Sequence, residues 1–192
     1  YGATKAGLER ALAIDPGYGT AQLWLALVLS WAGESPQSWK PYAAGALASD
    51  DSLTPRDRML GEAMVALADG DYPESCGKFR DLIAHDSLDF AAWYGLGDCQ
   101  ANDPLVVRDS SGAGWHFRGS YQAAIAAYRR ALEIVPSVHL AFRGQAFSRL
   151  PKLLYTEPDR IRQGYAVQGA DTVRFGAFPS MTHDTLEFVP RP

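Results

Sequence analysis

The chain has 192 residues, a mass of 20.9 kDa and a formal net charge of −4. Hydrophobic residues make up 47% and charged residues 21%, which is the composition of a folded globular protein and excludes wholesale disorder. The acidic balance and the scattered Lys and Arg residues exclude nucleic acid as the main partner. The longest apolar run, Leu23 to Leu29, is too short to span a bilayer, so no membrane insertion is predicted.

The ends and the cysteines say little about location. The chain opens with YGATKAGLERAL, which has no initiating Met and no signal-peptide pattern, so we expect a soluble segment of a longer protein, cytoplasmic rather than extracytoplasmic. Cys76 and Cys99 are too few for a disulfide framework and lack the spacing of a zinc site. We therefore expect two ordinary semi-buried thiols and no bound metal.

In chain order, helix-like segments alternate between two types. One type comprises LERALAIDP ending at Pro16, PYAAGALASDD (41–51), GDYPESCGKFRDLIAHDS (70–87) and GSYQAAIAAYRRALEIVP (119–136). Between them lie the partner segments AQLWLALVLSWAG from Ala21, RDRMLGEAMVALADG from Arg56, AAWYGLGDCQ (91–100) and HLAFRGQAFSRL from His139. Apolar residues recur at steps of three and four in these segments, which predicts amphipathic helices.

The two clearest copies start in the same way. Gly70 and Gly119 each precede a residue that favours the N-cap, Asp71 and Ser120. We expect each glycine to take the left-handed conformation that ends a preceding helix. The second copy should end at Val135, because a residue before proline avoids the helical region.

The paired segments resemble the tetratricopeptide repeat. The resemblance rests on Trp93, Leu96, Gly97, Gly119, Tyr121, Ala124, Tyr128, Ala131, Leu132 and Pro136. It implies an all-α, right-handed superhelix of antiparallel helix pairs, with about eight helices in residues 1–150. The run from Leu53 to Asp98 is also similar to arrays found beside bacterial serine/threonine kinase and signalling modules.

One repeat is longer than the family unit. The landmark at Pro16 recurs at Asp51, Ser87 and Pro136, at intervals of 35, 36 and 49 residues. The last interval exceeds the unit by about 15 residues. We place the excess in residues 102–118 and predict an inserted loop, with Trp115 and Phe117 as an aromatic plug against the helices.

The last forty residues lose the helical spacing. Residues 151–192 hold several prolines and glycines and two β-prone pieces, TVRFGAF and TLEFVP. We expect an irregular extension with one hairpin that packs on the repeats and caps the open end of the array.

Catalysis is not expected from this sequence. It has no GxSxG elbow, phosphate loop or HExxH motif, and its histidines are scattered. We therefore predict a protein that is not an enzyme and needs no cofactor.

The resemblance implies a concave groove lined by the first helix of each pair, which holds a peptide or partner protein. The positions that it assigns to partner binding are Leu27, Trp31, Met64, Tyr94, Asp98, Asn102, Arg143 and Phe147. Trp31 and Tyr94 are the expected anchors. Three alternatives stay open: these side chains are simply core, the groove senses a small ligand for a kinase-linked receptor, or the array is structural and forms homo-oligomers through its terminal faces.

Overall fold

A computed structural model of the protein describes residues 2–49, 53–108, 115–135 and 172–174. The helices within them are α1 (Gly2–Ile14), α2 (Gly19–Trp31), α3 (Pro36–Ala48), α4 (Pro55–Asp69), α5 (Tyr72–His85), α6 (Phe90–Asn102) and α7 (Tyr121–Ile134). Each helix packs against the next one in the chain, and α4 also contacts α2 and α6. The predicted array of helix pairs, α2 with α3, α4 with α5 and α6 with α7, is thereby confirmed for these residues.

Side-chain caps start most of the later helices. The side-chain oxygens of Thr54, Asp71, Asp89 and Ser120 accept a hydrogen bond from the backbone N–H three residues ahead. Gly70 ends α4 with a φ of 76°, as predicted. These caps satisfy backbone groups that a helix end leaves unpaired, so they fix where the chain turns.

The expectation for Gly119 is wrong, because this glycine is not left-handed and follows a strand rather than a helix. A Cβ at Gly119 would lie 2.4 Å from the carbonyl oxygen of Gln100. The position therefore needs glycine for close approach of two backbones, not for its dihedral freedom.

Helix α3 is longer than predicted. It begins at Pro36 instead of Pro41, after the N-cap residue Ser35, and Pro41 lies inside it. Trp39, which the prediction left outside the helix, is 3% exposed and donates its indole N–H to the Glu34 carbonyl oxygen at 3.3 Å. Burial of this large side chain outweighs the hydrogen bond that an internal proline removes.

The predicted loop of residues 102–118 instead contains two strands, β1 (Leu105–Arg108) and β2 (Trp115–Phe117). They pair antiparallel, and β1 also pairs antiparallel with β3 (Thr172–Arg174), giving the order β2-β1-β3. The strand β3 is the start of the β-prone piece TVRFGAF. Val106 and Val107 are β-branched residues that favour a strand, a signal that is overlooked when the segment is interpreted as an insertion between two helices.

The Asp103 carboxylate holds the base of this sheet in place. Arg118 donates to it through Nε at 2.5 Å and Nη2 at 3.1 Å. Phe117 is 3% exposed and its ring lies 6.1 Å from that of Tyr121 in α7, so Phe117 does pack against a helix.

The expectation of two free thiols is wrong. Cys76 of α5 and Cys99 of α6 form a disulfide, with Cα atoms 5.6 Å apart and 23 residues of separation. The number of cysteines could not predict the disulfide, because its formation depends on two neighbouring helices that bring the Cα atoms within bonding range.

Several predictions concern residues outside the described ranges. They are the helix from His139, the groove residues Arg143 and Phe147, the domain boundary at residue 150 and most of the extension 151–192. These stay predictions.

Candidate functional site

Aromatic rings form a continuous stripe across helices α2, α6 and α7. We use the name aromatic stripe for Trp24 and Trp31 of α2, Phe90 and Tyr94 of α6, and Tyr128 of α7. Successive ring centroids are 6.4 Å apart for Trp24 and Trp31, 5.5 Å for Trp31 and Phe90, 6.2 Å for Trp31 and Tyr94, and 5.3 Å for Tyr94 and Tyr128. All four pairs meet edge to face, the geometry that the ring quadrupole favours.

The stripe is open at one end and closed at the other. Trp24 is 40% exposed, Trp31 is 7%, Tyr94 is 2% and Tyr128 is fully buried. Phe90 is half-buried. Trp24 and Phe90 are therefore the members of the stripe that keep accessible surface, and both rings contact Trp31.

Most of the predicted groove residues lie in the core. Leu27, Met64 and Asp98 are 3%, 3% and 4% exposed, and the two expected anchors, Trp31 and Tyr94, are also buried. Asn102 is exposed at the end of α6, where its side-chain amide donates to the Asp98 carbonyl oxygen at 2.8 Å. The structure brings Trp31 and Tyr94 together from different repeats, but they form the floor of the stripe and not its outer surface.

An ion-pair network fixes the start of α6. Arg56 of α4 donates to both carboxylate oxygens of Asp89 at 2.8 Å, and to Asp57 at 2.7 Å. Asp89 is 7% exposed and its Oδ1 also caps α6 through the Ala92 N–H at 3.0 Å. Burial opposes the charge of Arg56, but the hydrogen bond that Arg56 donates to Asp57 and the charge of Asp89 outweigh it, so the Arg56 pKa is raised. Phe90 follows Asp89 directly, so the network sets where this ring lies.

The inner end of the stripe is tied by a polar contact. The Tyr128 hydroxyl donates to Asp98 Oδ1 at 2.5 Å, in a buried site between α7 and α6. Gly97 allows this approach, because a Cβ there would lie 2.5 Å from Tyr128 Cε1. The absence of a side chain at Gly97 thus lets α6 and α7 pack closely.

Sequence reasoning missed Trp24, Phe90 and Arg56 as contributors to the site. Trp24 lies seven residues before Trp31 and Phe90 four before Tyr94, spacings that place each pair on one side of a helix. A search for aromatic residues at these spacings would have found both. The partner of Arg56 is 33 residues away, so no local pattern indicates it.

Comparison with known families supports the repeat assignment. Residues 60–139, less than half of the chain, match the model of the tetratricopeptide repeat. These repeats are generally scaffolds for protein interaction, and the helical array described above is consistent with this type of fold. No curated protein matches the chain.

Two other features are absent from the described ranges. Across the described ranges, no group of three or more His, Cys, Asp or Glu side chains could hold a metal ion. No helix there is long and apolar enough to cross a membrane.

Proposed function

We propose that the chain is a protein-interaction scaffold that binds a peptide or partner protein at the open end of the aromatic stripe, as one segment of a larger signalling or assembly protein. The observation that carries the proposal is Trp24, a tryptophan 40% exposed on a helix whose other large apolar residues are buried. Tryptophan is one of the residues most enriched at interface hot spots.

The binding mode follows from the shape of the stripe. Trp24 offers a flat apolar surface, and the ring of Trp31 packs edge to face against it with the centroids 6.4 Å apart. An apolar side chain of the partner would lie against Trp24 and Phe90. Binding then immobilises few side chains of the scaffold, because the inner rings are already held, and the entropy cost is low.

The experiment starts from a random peptide library selected on the full chain. Affinities of selected peptides are measured by fluorescence anisotropy for the parent and for Trp24→Ala. We expect Trp24→Ala to weaken binding by at least about 30-fold, the loss typical of a hot-spot tryptophan.

Tyr42→Ala is the matched control. Tyr42 is 36% exposed, nearly as much as Trp24, but it lies on α3, the second helix of its pair. Its removal should change affinity less than about threefold. Equal losses in both variants, or peptides that bind Trp24→Ala as well as the parent, would overturn the proposal.

A further inference from the structure

The disulfide between Cys76 and Cys99 joins two different repeats. Cys76 lies on α5, the second helix of one pair, and Cys99 on α6, the first helix of the next pair. We propose that this is a permanent structural bond and that the chain reaches its working fold in an oxidising compartment. The proposal does not depend on the function proposed above.

Burial argues that the bond is permanent and not a switch. Cys76 is 5% exposed and Cys99 is fully buried. Thiol–disulfide exchange requires a thiolate to reach one of the sulfurs, so a shielded disulfide exchanges slowly. A reductant therefore has to wait for the α5–α6 contact to open.

The side chain of Gln100 further shields the disulfide. Its side-chain Nε2 donates to Cys76 Sγ at 3.4 Å, and its Oε1 accepts from the Ser120 backbone N–H at 2.8 Å. Ser120 is the N-cap of α7, and Gly119 packs against the Gln100 backbone. The start of α7 thus holds Gln100 against the sulfur, so exposing Cys76 also disturbs the α6–α7 corner.

The position of the bond decides how much it stabilises. In a repeat array each unit contacts only its neighbours, so a covalent link between units strengthens the interface on which the array depends. The link also joins residues 23 positions apart and so restricts the unfolded chain. The reduced chain should therefore be clearly less stable than the oxidised chain.

Formation of the bond needs an oxidant from outside the chain. The two thiols lose two protons and two electrons as the sulfur–sulfur bond forms. A disulfide-containing oxidant accepts both, and its own disulfide becomes two thiols. Such oxidants act in secretory and periplasmic compartments, whereas the cytosol keeps thiols reduced. The proposal thus favours the extracytoplasmic alternative over the cytoplasmic one that the sequence favoured.

The first test counts free thiols in the full chain exported to the bacterial periplasm. The protein is unfolded in urea without reductant and treated with iodoacetamide, and its intact mass is measured by mass spectrometry. We expect no modified cysteine before reduction and two after it. Two modified cysteines before reduction would overturn the pairing.

The second test separates a structural bond from an incidental one. Reduction with dithiothreitol should be more than about tenfold slower for the native chain than in urea. The reduced chain should melt roughly 5–10 °C below the oxidised chain, as expected for a loop of this size in a protein of this length. A Cys76→Ser, Cys99→Ser double variant should show the lower Tm whether or not reductant is present. Equal Tm values for oxidised and reduced parent, or equal reduction rates in the two conditions, would overturn the structural role.

Discussion

Helices α2 and α6 are the first helices of the first and third pairs, but they are held in different ways. In α2, ten of 13 residues are buried, and its N-cap residue Tyr18 makes no side-chain cap. Helix α6 has the Asp89 cap, the Arg56 ion pair, the disulfide and the Asp98–Tyr128 hydrogen bond. Apolar burial is non-directional, whereas these links each require one geometry. We infer from this difference that α2 contributes mainly buried apolar surface and the exposed ring of Trp24. Helix α6 fixes the position of the aromatic stripe.

The largest expected loss of stability tests whether apolar burial holds α2. Leu25 of α2 is 1% exposed, so Leu25→Ala should lower the free energy of unfolding by about 2–5 kcal/mol through lost burial and a cavity. Urea unfolding followed by circular dichroism measures it. Leu88→Ala is the control, since Leu88 is 61% exposed and should change stability by less than about 0.5 kcal/mol. Similar values for the two variants would contradict the assignment of α2 to the core.

The next effect tests how tightly α6 packs on α5. A Cβ at Gly95 would lie 2.2 Å from the ring of Phe79, which is 1% exposed and has no room to move. Gly95→Ala should therefore destabilise by about 1–3 kcal/mol, although alanine favours helix.

Gly77→Ala on the facing helix provides the matched control. A Cβ at Gly77 meets nothing within 4 Å, so this variant should gain roughly 0.5–1 kcal/mol from helix propensity alone. The same urea experiment serves for both. A gain in both variants would show that α5 and α6 do not approach as closely as described.

The polar half of the comparison is tested by Tyr128→Phe. This change keeps the ring against Tyr94 but removes the hydroxyl that donates to Asp98, leaving a buried carboxyl group without that donor. We expect a loss of about 1–2 kcal/mol in the free energy of unfolding. Tyr42→Phe at an exposed position should have no measurable effect. Unchanged stability of Tyr128→Phe would mean that packing alone holds α7 on α6.

The smallest effect concerns a surface ion pair on the α4–α5 pair. Lys78 contacts Glu62 at 2.8 Å and Glu74 at 3.2 Å, and the hydrogen bond that Lys78 donates to Glu62 is the main reason that the Lys78 pKa is raised. The stabilisation that charged Lys78 gives to the folded state is therefore fully present below the ordinary lysine pKa of 10.5. It is lost as the pH rises through the higher pKa of Lys78 in the folded state. Lys78→Met should cost less than about 1 kcal/mol at pH 7, and the difference from the parent should shrink in strongly alkaline solution. A difference that grows with pH would contradict this sign.

Local sequence signals predicted the helices well. The spacing of apolar residues and the N-caps at Asp71 and Ser120 are visible within one or two helical turns of sequence, and the structure agrees with both. The strand at Thr172 was also indicated by its β-prone sequence, although its partner β1 was not.

Contacts between distant residues could not be predicted in the same way. The disulfide, the Arg56–Asp89 pair and the pairing of β1 with β3 all join residues far apart in the chain. Each depends on how the repeats stack, which no window of sequence contains. The groove residues show the same limit, because the family positions gave Trp31 and Tyr94 but not the degree to which neighbouring helices bury them.

The most direct test of the central claim is an NMR titration of the ¹⁵N-labelled chain with a selected peptide, following the tryptophan indole N–H signals. The signal of Trp24, assigned with Trp24→Phe, should shift most, because it lies at the open end of the stripe. The signal of Trp39, buried in α3 at 3% exposure, should stay in place. A peptide that binds and shifts Trp39 while leaving Trp24 unchanged would contradict the account.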